Sequence, residues 1–435
     1  MRWLDIYLPD PADSPVLAAA CRQARTLAAE LPAIQERDGL DAVGVTARMA
    51  EVGATLCQAI GAVRPQAFAP TADAGGDATT TPPLGDADHD ALLGYHLVVA
   101  PALLDLPWNW LHTGLGFVLE HHPLAWGTLP AGAARRRPAR PWFERMQRAR
   151  YLVGDAGEAG LPATLTQLRA GVARPEVLFV AGHSEEAVRR LIHREGEAVA
   201  AALADRRWGE PLAALDLPAA TPTPGRLAEQ ALLYQAIHYA GPVSCPARLA
   251  DAGAAPWLDQ LVLDAVGEPD EEFARELGLE GKLVGVDQVT ALLDSVAEGW
   301  EQPAAASLRA AGAAGPRAGG PSWLLDDGPV PPEQFGRGPG LPPLVFSNSH
   351  RALPELGARF LAAGASTFIG PVAPLYSRPA RLYAGACWRA LAAGWCAGAA
   401  AWRAAGDLRR DLGPEHPAWL SYGVQGSGLL ALQYL

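Results

Sequence analysis

From about residue 90 the chain alternates short, almost wholly apolar runs with longer stretches in which apolar positions recur at helical spacing. ALLGYHLVVA, PEVLFVAG, ALLYQAIHYAG, PPLVFSNS and STFIGPVA have the length and composition of buried strands. HSEEAVRRLIHREGEAVAAALAD, ELGARFLAAG and RLYAGACWRALAAGW have the period of helices. A strand that is apolar on every residue must be covered on both faces, and strand–helix–strand order supplies that cover. The order therefore predicts an α/β fold, a mostly parallel sheet flanked by helices. In such sheets the loops at the carboxyl ends of the strands form the crevice in which chemistry or binding takes place.

The 435 residues, 49% hydrophobic and 19% charged, suffice for more than one domain and a large core. A net charge of -12, with Arg far outnumbering Lys, repels phosphate backbones, so nucleic acid is not an expected partner. The dense basic cluster Arg135, Arg136, Arg137 and Arg140 reads as a solvated loop, with a partner or anion contact as the alternative. Cys21, Cys57, Cys245, Cys387 and Cys396 are widely spaced and include no CxxC, which fits a reducing, cytoplasmic setting rather than a disulfide framework. The opening MRWLDIYLPDPAD meets acids and prolines before any long apolar run, so neither a signal peptide nor a membrane span is expected.

Residues 14 to 62 are Ala-rich with helical periodicity, and 1–67 reads as an N-terminal helical region. The Thr/Gly/Pro-rich stretch 68–89 reads as a linker, and 90–435 as the α/β domain. The domain is interrupted at 243–320 by an acidic helical insertion that is a candidate partner surface.

Seven segments, in order, resemble the CHAT domain, a caspase-like peptidase family of the separase, gingipain and caspase clan. Leu106-Pro107-Trp108 within residues 103–127 is similar to the family's opening signature, and EGEAVAAAL at 195–203 to the helix between its first two long strands. IHYAG at 237–241 resembles the stretch leading to the catalytic His. WLLDDGPVPPEQF from Trp323 resembles the Leu-Leu-x-Asp-Gly turn and the helix after it. LVFSNS from Leu344 resembles the strand leading to the nucleophilic Cys. GARFLAAGASTFIGPVAP from Gly357 and the run from Trp388 to Ala405 resemble the elements that follow. The resemblance implies a caspase-like sheet over residues 90 to 435, the insertion excepted.

Both positions of the implied dyad depart from the family. After IHYAG stands Pro242, which has neither a proton-transfer group nor a backbone N–H. At the nucleophile position stands His350, or Ser349 if the loop is one residue shorter, and an imidazole does not readily replace a thiolate toward an amide. The relocated candidates are Ser349 beside His350, His238 within the apolar strand, and Cys245 three residues after Pro242. Ser349 and His350, adjacent on an extended chain, point to opposite sides unless a tight turn intervenes. His183 in VLFVAGHSEE imitates a catalytic Gly-His by its letters but precedes the EGEAVAAAL helix, where Ser184 is a candidate cap.

No phosphate loop, dinucleotide fingerprint, HExxH helix or GxSxG elbow occurs, and His121-His122 lacks chelating spacing, so no cofactor and no metal are expected. Trp108, Trp110, Trp388, Trp395 and Trp402 fall in regular elements and are expected mostly in the core. The resulting expectation is a catalytically silent CHAT-like protein that binds a polypeptide or a companion subunit, such as an active peptidase of the same family or a defence effector. The alternative is a cysteine or serine peptidase with relocated residues.

Overall fold

The structure, a computed structural model, describes residues 1–37, 42–63, 68, 92–130, 176–182, 186–204, 214–216, 227, 231, 234–241, 243–244, 320–325, 328–336, 341–349, 351–373 and 377–432. The basic cluster at 135–140 and nearly all of the expected insertion lie outside these residues, as does the expected linker apart from Phe68.

The chain opens with strand β1 (Arg2–Tyr7), followed by helices α1 (Pro15–Arg37) and α2 (Ala42–Val63). Next come β2 (Leu93–Val98), β3 (Leu124–Gly127) and β4 (Glu176–Ala181), then helix α3 (Glu186–Leu203), β5 (Ala214–Asp216) and β6 (Ala236–Ala240). The short strands β7 (Val243–Ser244), β8 (Ser322–Leu325) and β9 (Gly328–Val330) form a separate antiparallel sheet, and α4 (Pro332–Gly336) follows them. The remainder is β10 (Leu344–Asn348), α5 (Ala358–Ala363), β11 (Thr367–Pro371), α6 (Ser377–Ala392), α7 (Ala397–Leu412) and β12 (Tyr422–Gly426).

The main sheet has the order β1-β2-β3-β12-β11-β10-β6-β4-β5. Its pairings are parallel except that of β11 with β12. Strands β6, β10 and β11 are buried at every residue, as two-sided cover requires. Helices α3 and α6 pack against each other, and α6 against α7.

The N-terminal region expected to be helical also contributes a strand, because β1 extends the sheet in register with β2, Arg2 against Leu93 through Tyr7 against Val98. Six residues carrying an Arg and an Asp give no strong period, so the pairing follows from tertiary context. Helices α1 and α2 lie on the same core. Arg25 makes a two-pronged bond to Asp105 at 2.7 Å for each contact, and the Thr46 hydroxyl donates to the Glu415 carbonyl at 2.7 Å. Gly53 lets α2 approach the Trp108–Trp110 turn so closely that an added Cβ would stand 1.6 Å from the Trp110 carbonyl oxygen. No helix among the described residues is long and apolar enough to cross a membrane.

Among the described residues seven tryptophans are fully buried: Trp108, Trp110, Trp126, Trp323, Trp388, Trp402 and Trp419. Five of them donate the indole N–H to backbone carbonyls, of Leu103, Leu420, Leu104, Leu119 and Pro414 respectively for Trp108, Trp110, Trp126, Trp402 and Trp419. The other two, Trp323 and Trp388, donate to side chains of the central strands.

Gly53→Ala separates helix propensity from packing. In an exposed helix the change would stabilise by roughly 0.5–1 kcal/mol. Here the new methyl meets a backbone oxygen that has no rotamer to escape into, so a net loss of about 1–3 kcal/mol is expected in urea unfolding.

Candidate functional site

The two strands that the family resemblance singles out end side by side. β6 and β10 are neighbours in parallel register, with His238 opposite Phe346, Tyr239 opposite Ser347 and Ala240 opposite Asn348. On the other side of β6, the Gly182 N–H donates to the Ala240 carbonyl at 2.7 Å and closes the head of β4 onto it. Beyond β10 the backbone departs twice from ordinary geometry: Arg351 takes the left-handed conformation at φ 51°, and Leu353–Gly357 forms a single π-helical turn. Non-glycine residues rarely occupy that region, and π turns are frequent at functional sites.

His238 is wholly buried, and its ring is the middle member of a stack across three strands. Phe179 of β4 lies 5.0 Å away at 9° and Phe346 of β10 lies 4.6 Å away at 17°. The register makes the stack, since Phe179, His238 and Phe346 are partners in adjacent parallel strands. Trp388 of α6 donates its indole N–H to His238 Nδ1 at 2.8 Å, and Nε2 lies 2.5 Å from Glu195 Oε1 of α3.

These contacts fix the tautomer. An indole N–H can only donate, so Nδ1 presents its lone pair, and the ring proton sits on Nε2, where the Glu195 carboxylate accepts it. The imidazole therefore has no free lone pair with which to take a proton from a substrate, and its one N–H is already engaged. To act as a base it must first surrender Trp388. Next to it, the Tyr422 hydroxyl donates to Asn348 Oδ1, and the Tyr422 ring stacks on Tyr383 at 3.6 Å and 4°. Burial, with the Glu195 charge second, pushes the Tyr422 phenol well up, so it stays protonated as a donor.

Ser349 belongs to the other face of the sheet. Tyr239 and Ser347 alternate with His238 and Phe346, and Trp323 of β8 covers that second face. Trp323 stacks on Tyr239 at 4.5 Å and 11° and donates its N–H to Ser347 Oγ at 3.0 Å. Ser347 Oγ in turn lies 3.3 Å from Ser349 Oγ, and Ser349 is buried. The structure thus keeps His238 and Ser349 apart, because side chains one residue out of phase point to opposite faces. Pro242, Cys245 and His350 lie outside the described residues, as do His183 and Ser184.

The described cysteines are muted. Cys387 is fully buried and burial raises its thiol far above the ordinary value; Cys21 is pushed up to about 11, chiefly by burial. Burial also raises Cys57 and Cys396. His122, half-buried, places Nδ1 3.1 Å from the Leu93 carbonyl and meets the Tyr95 ring in a T-shaped contact at 4.7 Å. Among the described residues no three His, Cys, Asp or Glu side chains gather into a metal-binding group.

Glu195 and Trp388 were present in the sequence only as parts of helices. The available signal was position: Ile192, Glu195, Gly196, Val199, Ala202 and Leu203 are the buried face of α3, so a carboxylate stands in an apolar stripe at helical spacing. A buried carboxylate demands a partner, and a buried strand histidine is the complementary demand. Comparison of the chain with protein-family models, with curated proteins and with solved structures gave no match.

Removing one partner of His238 should cost more than the bond itself contributes. Trp388→Phe leaves Nδ1 without a donor, and Glu195→Leu leaves Nε2–H without an acceptor, so each is expected to lose about 1–3 kcal/mol in urea unfolding. Glu195→Gln, which keeps an acceptor oxygen, should lose less than Glu195→Leu.

Proposed function

We propose that the chain is a catalytically silent, caspase-like protein of CHAT type that acts by binding a polypeptide or a companion protein subunit. The observation that carries this reading is the pairing of β6 with β10. A Cys-His dyad distributed over two strands requires those strands to end together, and Ala240 and Asn348 are register partners. The positions two residues beyond each are occupied by Pro242 and His350, neither of which restores the dyad.

Two further features support the reading. The unusual backbone just after β10 lies where the resemblance expects the nucleophile, the kind of departure that costs about 1–3 kcal/mol per residue and persists where surroundings impose it. The nearest described imidazole, His238, has both nitrogens engaged with residues of two helices and supports the sheet from within. A sheet that keeps its strand heads together without a dyad retains the surface of a substrate groove, and a surface can be used for recognition alone.

The test incubates the pure protein with a broad peptide library at several pH values, beside the His350→Ala and Cys245→Ala variants, with cleavage followed by mass spectrometry. The expected result is no cleavage by any form. Cleavage that either substitution abolishes would overturn the silent reading and assign a peptidase built on relocated residues. Iodoacetamide labelling supplies a second measurement. The four described thiols are raised by burial and should stay unmodified at neutral pH. Label at Cys245 is then expected to accumulate no faster than on a free cysteine, whereas faster reaction would mark an activated thiolate.

A further inference from the structure

Among the described residues, three buried amide side chains leave one polar atom over, and they do not leave the same one. Asn109 and Gln425 donate their amino groups to the carbonyls of Leu420 and Leu104, and each leaves its oxygen without a partner. Asn348 does the reverse. Its oxygen accepts from the Tyr422 hydroxyl, and its Nδ2, shielded in a residue only 9% exposed, has no partner. Buried donors left over are rarer than oxygens left over. Turning the amide over does not remove the anomaly, because Nδ2 would then donate to the Tyr422 oxygen while the hydroxyl proton and Oδ1 both went unpaired. Two groups would be left in place of one.

The spare donor stands where folds of this class bind ligands. Asn348 is the last residue of β10, opposite Ala240 at the end of β6, and ligands of open α/β sheets sit in the crevice at the carboxyl ends of the strands. Its orientation is set by Tyr422, which begins β12 opposite Pro371 and is held by its stack on Tyr383. The sheet runs β12-β11-β10-β6, so an amide oxygen turned to Tyr422 turns the amino group away from β12, to the side on which β6 lies. The charge nearby selects among acceptors. Glu195 lies close enough to help raise the Tyr422 phenol, and the same carboxylate opposes a negatively charged ligand group while leaving a neutral carbonyl unopposed.

We propose that the Asn348 amide is a recognition contact for a bound polypeptide, donating from Nδ2 to a main-chain carbonyl oxygen at the heads of β6 and β10. The proposal rests on the binding role given above and assigns one contact within it. Folding has already taken the amino group out of water, so a ligand oxygen that reaches it gains the bond without desolvating that donor again. The bond to Tyr422 holds the amide in one rotamer, so little side-chain freedom remains to be lost on binding. A main-chain carbonyl is present at every residue of a peptide, so this contact fixes the ligand's register and leaves its sequence to be read elsewhere.

The probes are short peptides selected from a broad library on the immobilised full chain, with Kd measured in solution by calorimetry. Asn348→Leu is made together with Tyr422→Phe, so that the amide is removed without leaving the phenol unpaired, and Tyr422→Phe alone, which keeps Nδ2, is the reference. The double variant should bind about 3- to 10-fold more weakly than the reference, the range for one hydrogen bond. Replacing the peptide's amide bonds by esters, one at a time, weakens one carbonyl acceptor in each ligand. One position should lose affinity for the reference and not for the double variant. In the wild type the Asn348 side-chain amide protons, followed by NMR, should move downfield on saturation, a measurement that needs no variant to fold. Equal Kd values, or amide resonances that do not move, would overturn the contact and leave the binding role intact. A loss that follows neutralisation of a peptide carboxylate instead of an ester would overturn the carbonyl assignment. Selection of no peptide at all would remove the polypeptide reading together with the contact.

Discussion

A polar ring at the centre of a parallel sheet is tolerated only when both of its nitrogens are matched, and the matching of His238 sets the geometry around it. Glu195 arrives from α3 and Trp388 from α6, so one imidazole holds two helices at fixed registers over β6. Phe179 and Phe346 hold the ring on its two faces, which links the neighbouring strands through side chains as well as through the backbone ladder. In the low dielectric of the interior these bonds are strong when complete and costly when one is missing. The arrangement therefore favours one packing of helices on sheet over the alternatives that an Ala-rich interface would otherwise allow.

The two faces of the central strands have different chemistry. On the His238 face a carboxylate, an imidazole, an indole and the Tyr422–Asn348 pair are placed under long helices. On the opposite face Tyr239, Ser347 and Ser349 meet Trp323, brought in by the small antiparallel sheet. Trp323 and Trp388 thus play matching parts on opposite sides of β6 and β10, each closing its layer by donating to a strand side chain. The five tryptophans that donate to carbonyls close turns and segment ends instead.

Much of the architecture was legible because buried parallel strands leave a clear record: AIHYA, LVFSN and TFIGP are short, mostly apolar runs, and every residue of them is buried. β1 and β12 were not legible. RWLDIY is half exposed and carries charge, and YGVQG holds two glycines and a glutamine, so neither has the pattern its position implies. Their place depends on neighbours distant in the chain. The same limit applied to the polar cluster. His238 was visible as an anomaly within an apolar run, but its partners lie 43 residues before it and 150 residues after it. Spacing rules reach across one helix or one hairpin, and this cluster is assembled by tertiary packing. The parity that separates Ser349 from His238 also requires the register of two strands, which one sequence does not state.

The position of β12 has a consequence for how the molecule is made. It comes after every other described strand in sequence, yet in the sheet it lies between β3 and β11 and joins the block β1-β2-β3 to the block β11-β10-β6-β4-β5. A ribosome that has not yet synthesised residues 422–426 has produced two partial sheets, each with an unpaired edge that is internal in the finished protein. Such edges invite pairing with other chains. Nascent chains stalled before this point, and products truncated there, would present two open edges at once, which makes the last-formed strand the step at which a cell's chaperones have most to do.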